Sequence, residues 1–140
     1  MKSSHTTNYC DTFIEVADDC PVSKSEVPMD KNGNKTIASA QYEMISKSPY
    51  TFTSDDVIFA VFAQRNNIAK KDQKMAREEF FSKGQACLRS SPLTKRYGFG
   101  IHSKADGKVA LYAMESARYK KFMLDKDIKH LKAMRSERVK

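Results

Sequence analysis

The sequence has few of the residues that mark extracellular, membrane or disordered proteins. Its 140 residues include no Trp, three Cys, five Gly and four Pro. The cysteines, at positions 10, 20 and 87, are odd in number, so they make a poor disulfide framework, and reduced thiols in the cytoplasm are expected. No apolar run approaches the about 20 residues of a transmembrane helix, and the N-terminus lacks the apolar core of a signal peptide. We therefore expect a soluble protein with no membrane partner.

The composition is that of a globular protein. Apolar residues make up 40% of the chain and aromatic residues 10%, which is enough to build a core without disulfides or a metal. The length fits one domain spanning residues 1–140. Residues 1–8 and 135–140 are predicted to be flexible. Residues 21–35, rich in Ser, Lys, Pro, Asp and Asn, are predicted to form a long loop that is either mobile or functional.

Positive charge is the strongest bias in the sequence. The formal net charge is +8, and the stretch 118–140 contains nine basic and three acidic residues. Such an excess attracts polyanions, so nucleic acid or another anionic ligand is a candidate partner. A basic tail that is simply solvated is the alternative interpretation.

Periodicity and capping signals predict a small α+β fold. Alternating β-branched residues predict a strand near 12–17, and the turn at Asp106-Gly107 predicts a hairpin near 98–103 and 108–114. Thr36 and Thr53 or Ser54 are candidate helix caps, and Glu115-Ser116 is predicted to open a last helix. The predicted fold is an antiparallel sheet of about three strands with helices on one face. The helices are expected near 36–46, 54–66, 70–83 and 115–124, and the C-terminal tail can continue as a further helix.

The stretch 80–112 contains the best candidate binding residues. Arg89, Lys95 and Arg96 precede Tyr97 in a predicted loop at 85–97. Arg presents a planar donor fork to phosphate or carboxylate, and an aromatic ring can stack on a base. We therefore predict that these four residues bind an anionic ligand. The alternative is a solvated loop with Tyr97 in the core.

Evidence for catalysis in the sequence is weak. Cys87 lies near Lys83 and Arg89, whose charges favour a thiolate, and His102 could act as its base if the hairpin brought it close. No catalytic signature surrounds Cys87, and free cysteines are often small buried hydrophobes. The residue spacings indicate no metal site and no cofactor. The expected protein is a non-enzymatic binding module, and the alternative is a small enzyme or small-molecule binder with a pocket near Cys87, Arg89 and His102.

Several segments spread over nearly the whole chain resemble one family. The resemblance is carried by His5-Thr6-Thr7-Asn8-Tyr9, Thr12-Phe13-Ile14-Glu15-Val16-Ala17, Cys20-Pro21, Tyr42-Glu43-Met44-Ile45, Thr53-Ser54-Asp55-Asp56-Val57, Phe80-Phe81-Ser82-Lys83-Gly84-Gln85, Ser91-Pro92-Leu93-Thr94-Lys95-Arg96-Tyr97-Gly98 and Lys132-Ala133-Met134-Arg135-Ser136. The chain is similar there to an uncharacterised family of short bacterial proteins, a domain of unknown function. The resemblance implies no activity.

Overall fold

The computed structural model describes residues 5–136 of the chain. Residues 1–4 and 137–140, part of the segments predicted to be flexible, lie outside this range. The described residues form five α-helices and a four-stranded mixed sheet. The predicted α+β class is therefore confirmed, with one strand more than expected.

Most of the strands and helices lie near their predicted positions. The strands are β1 (Thr12–Glu15), β2 (Phe99–Ser103), β3 (Val109–Ala113) and β4 (Lys129–Lys132). The helices are α1 (Ile37–Lys47), α2 (Ser54–Arg65), α3 (Gln73–Phe80), α4 (Pro92–Lys95) and α5 (Ala117–Leu124). Short 3₁₀ turns occupy Lys70–Asp72 and Leu88–Ser90. None of the helices in the described part of the chain is long and apolar enough to cross a membrane.

Three helices begin at the polar residues that predicted them. Thr36 caps α1 and Thr53 caps α2, and in both cases the side chain of the third helical residue returns a bond to the cap backbone. At α5 the Ser116 hydroxyl accepts from the backbone N–H of Tyr119. These side chains accept hydrogen bonds from amides that have no partner inside the helix. The start of each helix can therefore be predicted from residues close to it in sequence.

The sheet places the first strand next to the last. Its order is β3-β2-β1-β4. β1 pairs antiparallel with β2, as expected, and β2 pairs antiparallel with β3. β1 also pairs in parallel with β4, with Phe13 opposite His130 and Ile14 opposite Leu131. The sheet is therefore mixed.

Helices cover both faces of this sheet, so the prediction of helices on one face is wrong. Ile14 and Ile101 point to a core that includes Val57 of α2 and Ile45 of α1. Phe13 points to the other face, where it packs in a second cluster with side chains of α5. The side chains of a strand alternate between faces, and β1 is apolar on both, so each face needs a cover.

The predicted C-terminal helix is wrong for residues 129–132, which form β4. Ile128, Leu131 and Met134 recur every three residues, a spacing that suggested a helix. The backbone N–H of Lys129 instead donates to Asp11 O (2.8 Å), and that of Ala133 donates to Glu15 O (2.9 Å). The open edge of β1 thus supplies hydrogen-bond partners that a short periodic pattern does not reveal.

The helix predicted for 70–83 is shorter than expected. It divides into the 3₁₀ turn and α3, and Met75 of α3 is 77% exposed. Gly84, which follows the helix, is not in a left-handed conformation. The side chains of Ser82 and Gln85 cap the helix end instead, by donating to the carbonyls of Glu79 (2.5 Å) and Phe80 (2.7 Å).

Candidate basic ligand cleft

A cleft of about 650 Å³, called here the basic cleft, opens beside the start of α1. Five cationic side chains line it: Lys31, Lys35, Arg65, Lys95 and Arg96. Polar neutral side chains of Asn32, Asn34, Thr36, Ser90 and Tyr97 line it as well. The described residues of its wall include no Asp or Glu. An anion is therefore the ligand that this wall would attract.

A tight turn carries the cations of the long loop to the cleft. Lys31 and Asn34 exchange backbone hydrogen bonds of 2.8 and 2.9 Å. The two residues between them, Asn32 and Gly33, have φ values of +53° and +77°. Asn and Gly are the residues that tolerate this left-handed pair of positions. The turn directly precedes Lys35 and the α1 cap, which brings Lys31 and Lys35 to the same rim.

A second part of the cleft wall is built on α4, which lies inside the segment predicted as a loop. Ser91 caps this short helix by accepting from Leu93 N–H, and Pro92 follows at the first helical position. The Ser91 hydroxyl donates to Gln41 Oε1 of α1 at 2.5 Å, and Leu93 and Thr94 are fully buried. This anchored helix displays Lys95, Arg96 and Tyr97 at its C-terminal end.

Arg65 completes the wall from a third element. It is the last residue of α2 and is exposed. Among the described residues, none forms an ion pair with Lys31, Arg65, Lys95 or Arg96. Lys35 differs, because Glu43 bonds its ammonium and Asp30 lies 3.8 Å away. The bond to Glu43 raises the Lys35 pKa. Four of the five cations thus remain available to a ligand.

The predicted binding residues separate into two groups. Lys95, Arg96 and Tyr97 line the basic cleft, but Arg89 does not. The Arg89 Nε instead donates to Lys132 O of β4 at 2.9 Å, and its carbonyl accepts from Met134 N–H at 2.7 Å. Arg89 therefore fastens β4 to the rest of the molecule.

The sequence interpretation missed Lys31, Lys35 and Arg65. They lie far along the chain from Lys95, and only the fold brings them to it. The prediction that residues 21–35 form a long loop, either mobile or functional, is the one signal in the sequence that points to Lys31 and Lys35. Nothing in the local sequence of Arg65 distinguishes it from other exposed cations.

A second concavity, called here the side pocket, adjoins the basic cleft. It measures about 330 Å³ and shares four wall residues with the cleft, namely Ile37, Arg65, Ser90 and Pro92. Its other side chains include Ile58, Val61, Phe62 and Phe80. Cys87 also lines it, with Sγ at 3.3 Å from the Tyr9 hydroxyl oxygen. The two concavities thus meet at one boundary.

The fold does not bring His102 to Cys87. Cys87 precedes Leu88, which lies in the core beneath α1 and α2. His102 lies on the opposite face of the sheet, where its ring stacks on Phe122 of α5 at 4.4 Å between centroids. Its Nδ1 is hydrogen-bonded to the Tyr50 hydroxyl at 2.8 Å. A Cys87–His102 pair for nucleophilic catalysis is therefore not assembled.

In the part of the chain that the structure describes, no group of three or more His, Cys, Asp or Glu side chains could hold a metal ion. All three cysteines are free thiols.

Comparison with known proteins gives one match. A family model described as a family of unknown function, DUF6157, matches residues 4–139. No curated protein and no solved structure matches the chain. The family resemblance noted in the sequence is confirmed.

Proposed function

The chain belongs to DUF6157, a family of unknown function, and we propose that it is a non-enzymatic module that binds an anionic partner in the basic cleft. One observation carries the proposal. Four cations, Lys31, Arg65, Lys95 and Arg96, line one concave wall that has no acid among its described residues. Like charges gathered without counter-charges repel one another, and an anionic ligand relieves that repulsion.

The side chains offer complementary modes of anion recognition. Arg65 and Arg96 present planar forks that fit two oxygens of a phosphate or carboxylate. Lys31 and Lys95 act as point charges, and the Asn32 and Asn34 amides add neutral donors. The combination favours a phosphate or carboxylate group over a spherical halide.

The size of the cleft suits a small ligand or a short stretch of a polymer. A volume of about 650 Å³ falls within the range of small-molecule sites. Tyr97 is half-buried against the core under α1 and α2, and the part of its ring that lines the cleft could also stack on a base of single-stranded nucleic acid. The proposed setting is the bacterial cytoplasm, in keeping with three unpaired cysteines.

The test is a set of titrations with single- and double-stranded DNA, RNA and inorganic phosphate at about 50 mM and about 200 mM salt. Arg65→Gln/Arg96→Gln removes two cleft charges. Lys74→Gln/Lys120→Gln is the matched control, because both lysines are exposed and line neither concavity. We expect the cleft variant to lose about tenfold or more in affinity and the control to lose little.

The salt dependence separates the classes of partner. A polymer that contacts several cations loses affinity steeply as salt rises, whereas a small anion held in the cleft loses it weakly. Equal losses in the two double variants would mean that net charge alone attracts the ligand. That result, or the absence of binding to every anion at low salt, would overturn the proposal.

A further inference from the structure

The boundary between the basic cleft and the side pocket separates a cationic wall from a largely apolar one. Ile37, Ser90 and Pro92 line both concavities, and so does Arg65. On one side of Arg65 the wall carries Lys95 and Arg96. On the other side it carries the apolar side chains of Ile58, Val61, Phe62 and Phe80, with Gln41, Asn66 and Gln85 among them. A ligand that crosses this boundary would therefore have its charge and its apolar part in different compartments.

The apolar compartment is built from rings and branched side chains that remain partly open to solvent. Phe62 and Phe80 pack with ring centroids 4.5 Å apart, and both are half-buried, as is Ile58. Ile37 at the boundary is 43% exposed. Covering such side chains with an apolar group releases free energy in proportion to the area removed from water. The side pocket therefore favours an alkyl or aryl group.

Two of the polar side chains that line the side pocket are hydrogen-bonded to each other. Gln41 and Ser91 line it, and the Ser91 hydroxyl donates to Gln41 Oε1. Ser91 Oγ also accepts from Leu93 N–H, so its one donor and one of its two lone pairs are used within the protein. Binding an apolar group there leaves this pair intact.

Resting on the proposed function, we propose that the ligand is a small amphiphilic anion. Its phosphate or carboxylate head binds in the basic cleft against Arg65 and Arg96, and its alkyl chain enters the side pocket against Phe62 and Phe80. Charge complementarity selects the head group, and the shared wall at Ile37 and Pro92 guides the chain. The occupant is a single soluble molecule, not a polymer.

The decisive experiment is a chain-length series of methyl, butyl and octyl phosphate, each below its aggregation threshold, titrated calorimetrically into the full chain. We expect each added methylene to tighten binding about threefold to fourfold until the side pocket is filled. Arg65→Gln should weaken all three ligands. An unchanged affinity from methyl to octyl phosphate would overturn the inference.

A blocking variant tests where the alkyl chain lies. Ala86 is exposed and lines the side pocket, so Ala86→Trp should fill the pocket without entering the core. It should abolish the gain from methyl to octyl phosphate while preserving methyl phosphate binding. Ala105→Trp, at the exposed hairpin turn, is the matched control. A chain-length gain that persists in Ala86→Trp would contradict the assignment.

Cys87 gives a readout with the pocket wall unchanged. In a Cys10→Ser/Cys20→Ser background, octyl phosphate should slow alkylation of Cys87 and methyl phosphate should not. Equal alkylation rates with the two ligands would overturn the inference even if Ala86→Trp fails to fold.

The two proposals fail in different ways. Anion binding that depends on Arg65 and Arg96 but not on chain length leaves the proposed function standing and removes the amphiphile. Tighter binding of nucleic acid than of octyl phosphate does the same. No binding of any phosphate or nucleic acid removes both.

Discussion

Gly100 lies where β2 and the second core come closest. A Cβ built there would be 2.6 Å from Phe13 Cζ and 2.6 Å from Tyr119 Cε2. Phe13 is fully buried and Tyr119 is 9% exposed, so neither ring can move into solvent without opening the core. A side chain at position 100 is therefore excluded by crowding against Phe13 and Tyr119, not by the backbone conformation.

Gly100→Ala should lower the free energy of unfolding by about 1–3 kcal/mol, because overpacking forces the two rings out of place. Urea denaturation followed by circular dichroism would measure the change. Gly84→Ala is the control, since the nearest atom to its built Cβ is His5 Nδ1 at 4.0 Å. We expect the control to change stability by less than about 0.5 kcal/mol. Equal losses at both positions would contradict the packing argument.

His102 is held in its neutral form by its surroundings. Burial lowers its pKa, since the charged ring would be removed from water. Asp11 and Asp125 oppose this shift, whereas Lys104 and Arg118 add to it. The net effect is a lowered pKa for His102. The folded protein therefore takes up a proton on His102 less readily than the unfolded chain does.

This difference predicts that the free energy of unfolding decreases as the pH becomes acidic. The contribution of His102 is fully present above the ordinary imidazole pKa of about 6.5. It declines as pH falls from there to the folded pKa, because the unfolded chain then binds more protons. His102→Gln, which keeps an acceptor for the Tyr50 hydroxyl, should remove this part of the pH dependence. Urea midpoints measured from about pH 8 to about pH 5 would test it, and identical profiles would count against it.

At the scale of elements, the sequence predicts the helix starts and turns that depend on interactions between residues close in the chain. Thr36, Thr53 and Ser116 cap helices through atoms within a few residues, and Asp106-Gly107 closes the hairpin. β4 was missed because its hydrogen bonds come from β1, more than a hundred residues away. Periodicity alone does not distinguish a short helix from a strand that a distant partner completes.

The residues of the candidate site also differ in whether local sequence or the overall fold brings them together. Lys95, Arg96 and Tyr97 are consecutive, so their shared location could be predicted. Lys31 and Arg65 reach the cleft only through the packing of α1, α2 and α4, which no spacing in the sequence encodes. Arg89 has the residue type of a ligand contact, but its Nε donates to Lys132 O of β4 and it does not line the cleft.

The role of Arg89 can be tested by separating its charge from its hydrogen bond. Both Arg89→Ala and Arg89→Lys remove the Nε donor to Lys132 O, while Arg89→Lys keeps the charge. Each should lower the free energy of unfolding by about 1 kcal/mol, the usual net value of one hydrogen bond. Phosphate affinity should stay unchanged in both. A selective loss of affinity in Arg89→Ala, rescued by Arg89→Lys, would return Arg89 to the binding site.

At the scale of the whole molecule, β1 links the two cores. Phe13 belongs to the core under α5, and its neighbour Ile14 belongs to the core under α1 and α2. Both neighbours of β1 in the sheet, β2 and β4, come from the last third of the chain. Neither core is therefore complete until the two ends of the described chain have met.

This arrangement predicts one cooperative unfolding transition. The chain has no Trp, so Phe122→Trp and Tyr42→Trp each introduce a single fluorescent reporter, one beside each core. In each variant the fluorescence and far-ultraviolet circular dichroism transitions should coincide, as two-state unfolding requires. Adding Phe13→Leu should shift the midpoints reported from both faces together, by about 1 kcal/mol or more. If the α5 side lost its signal at lower denaturant than the α1 side, the two cores would be separate folding units and β1 would not couple them.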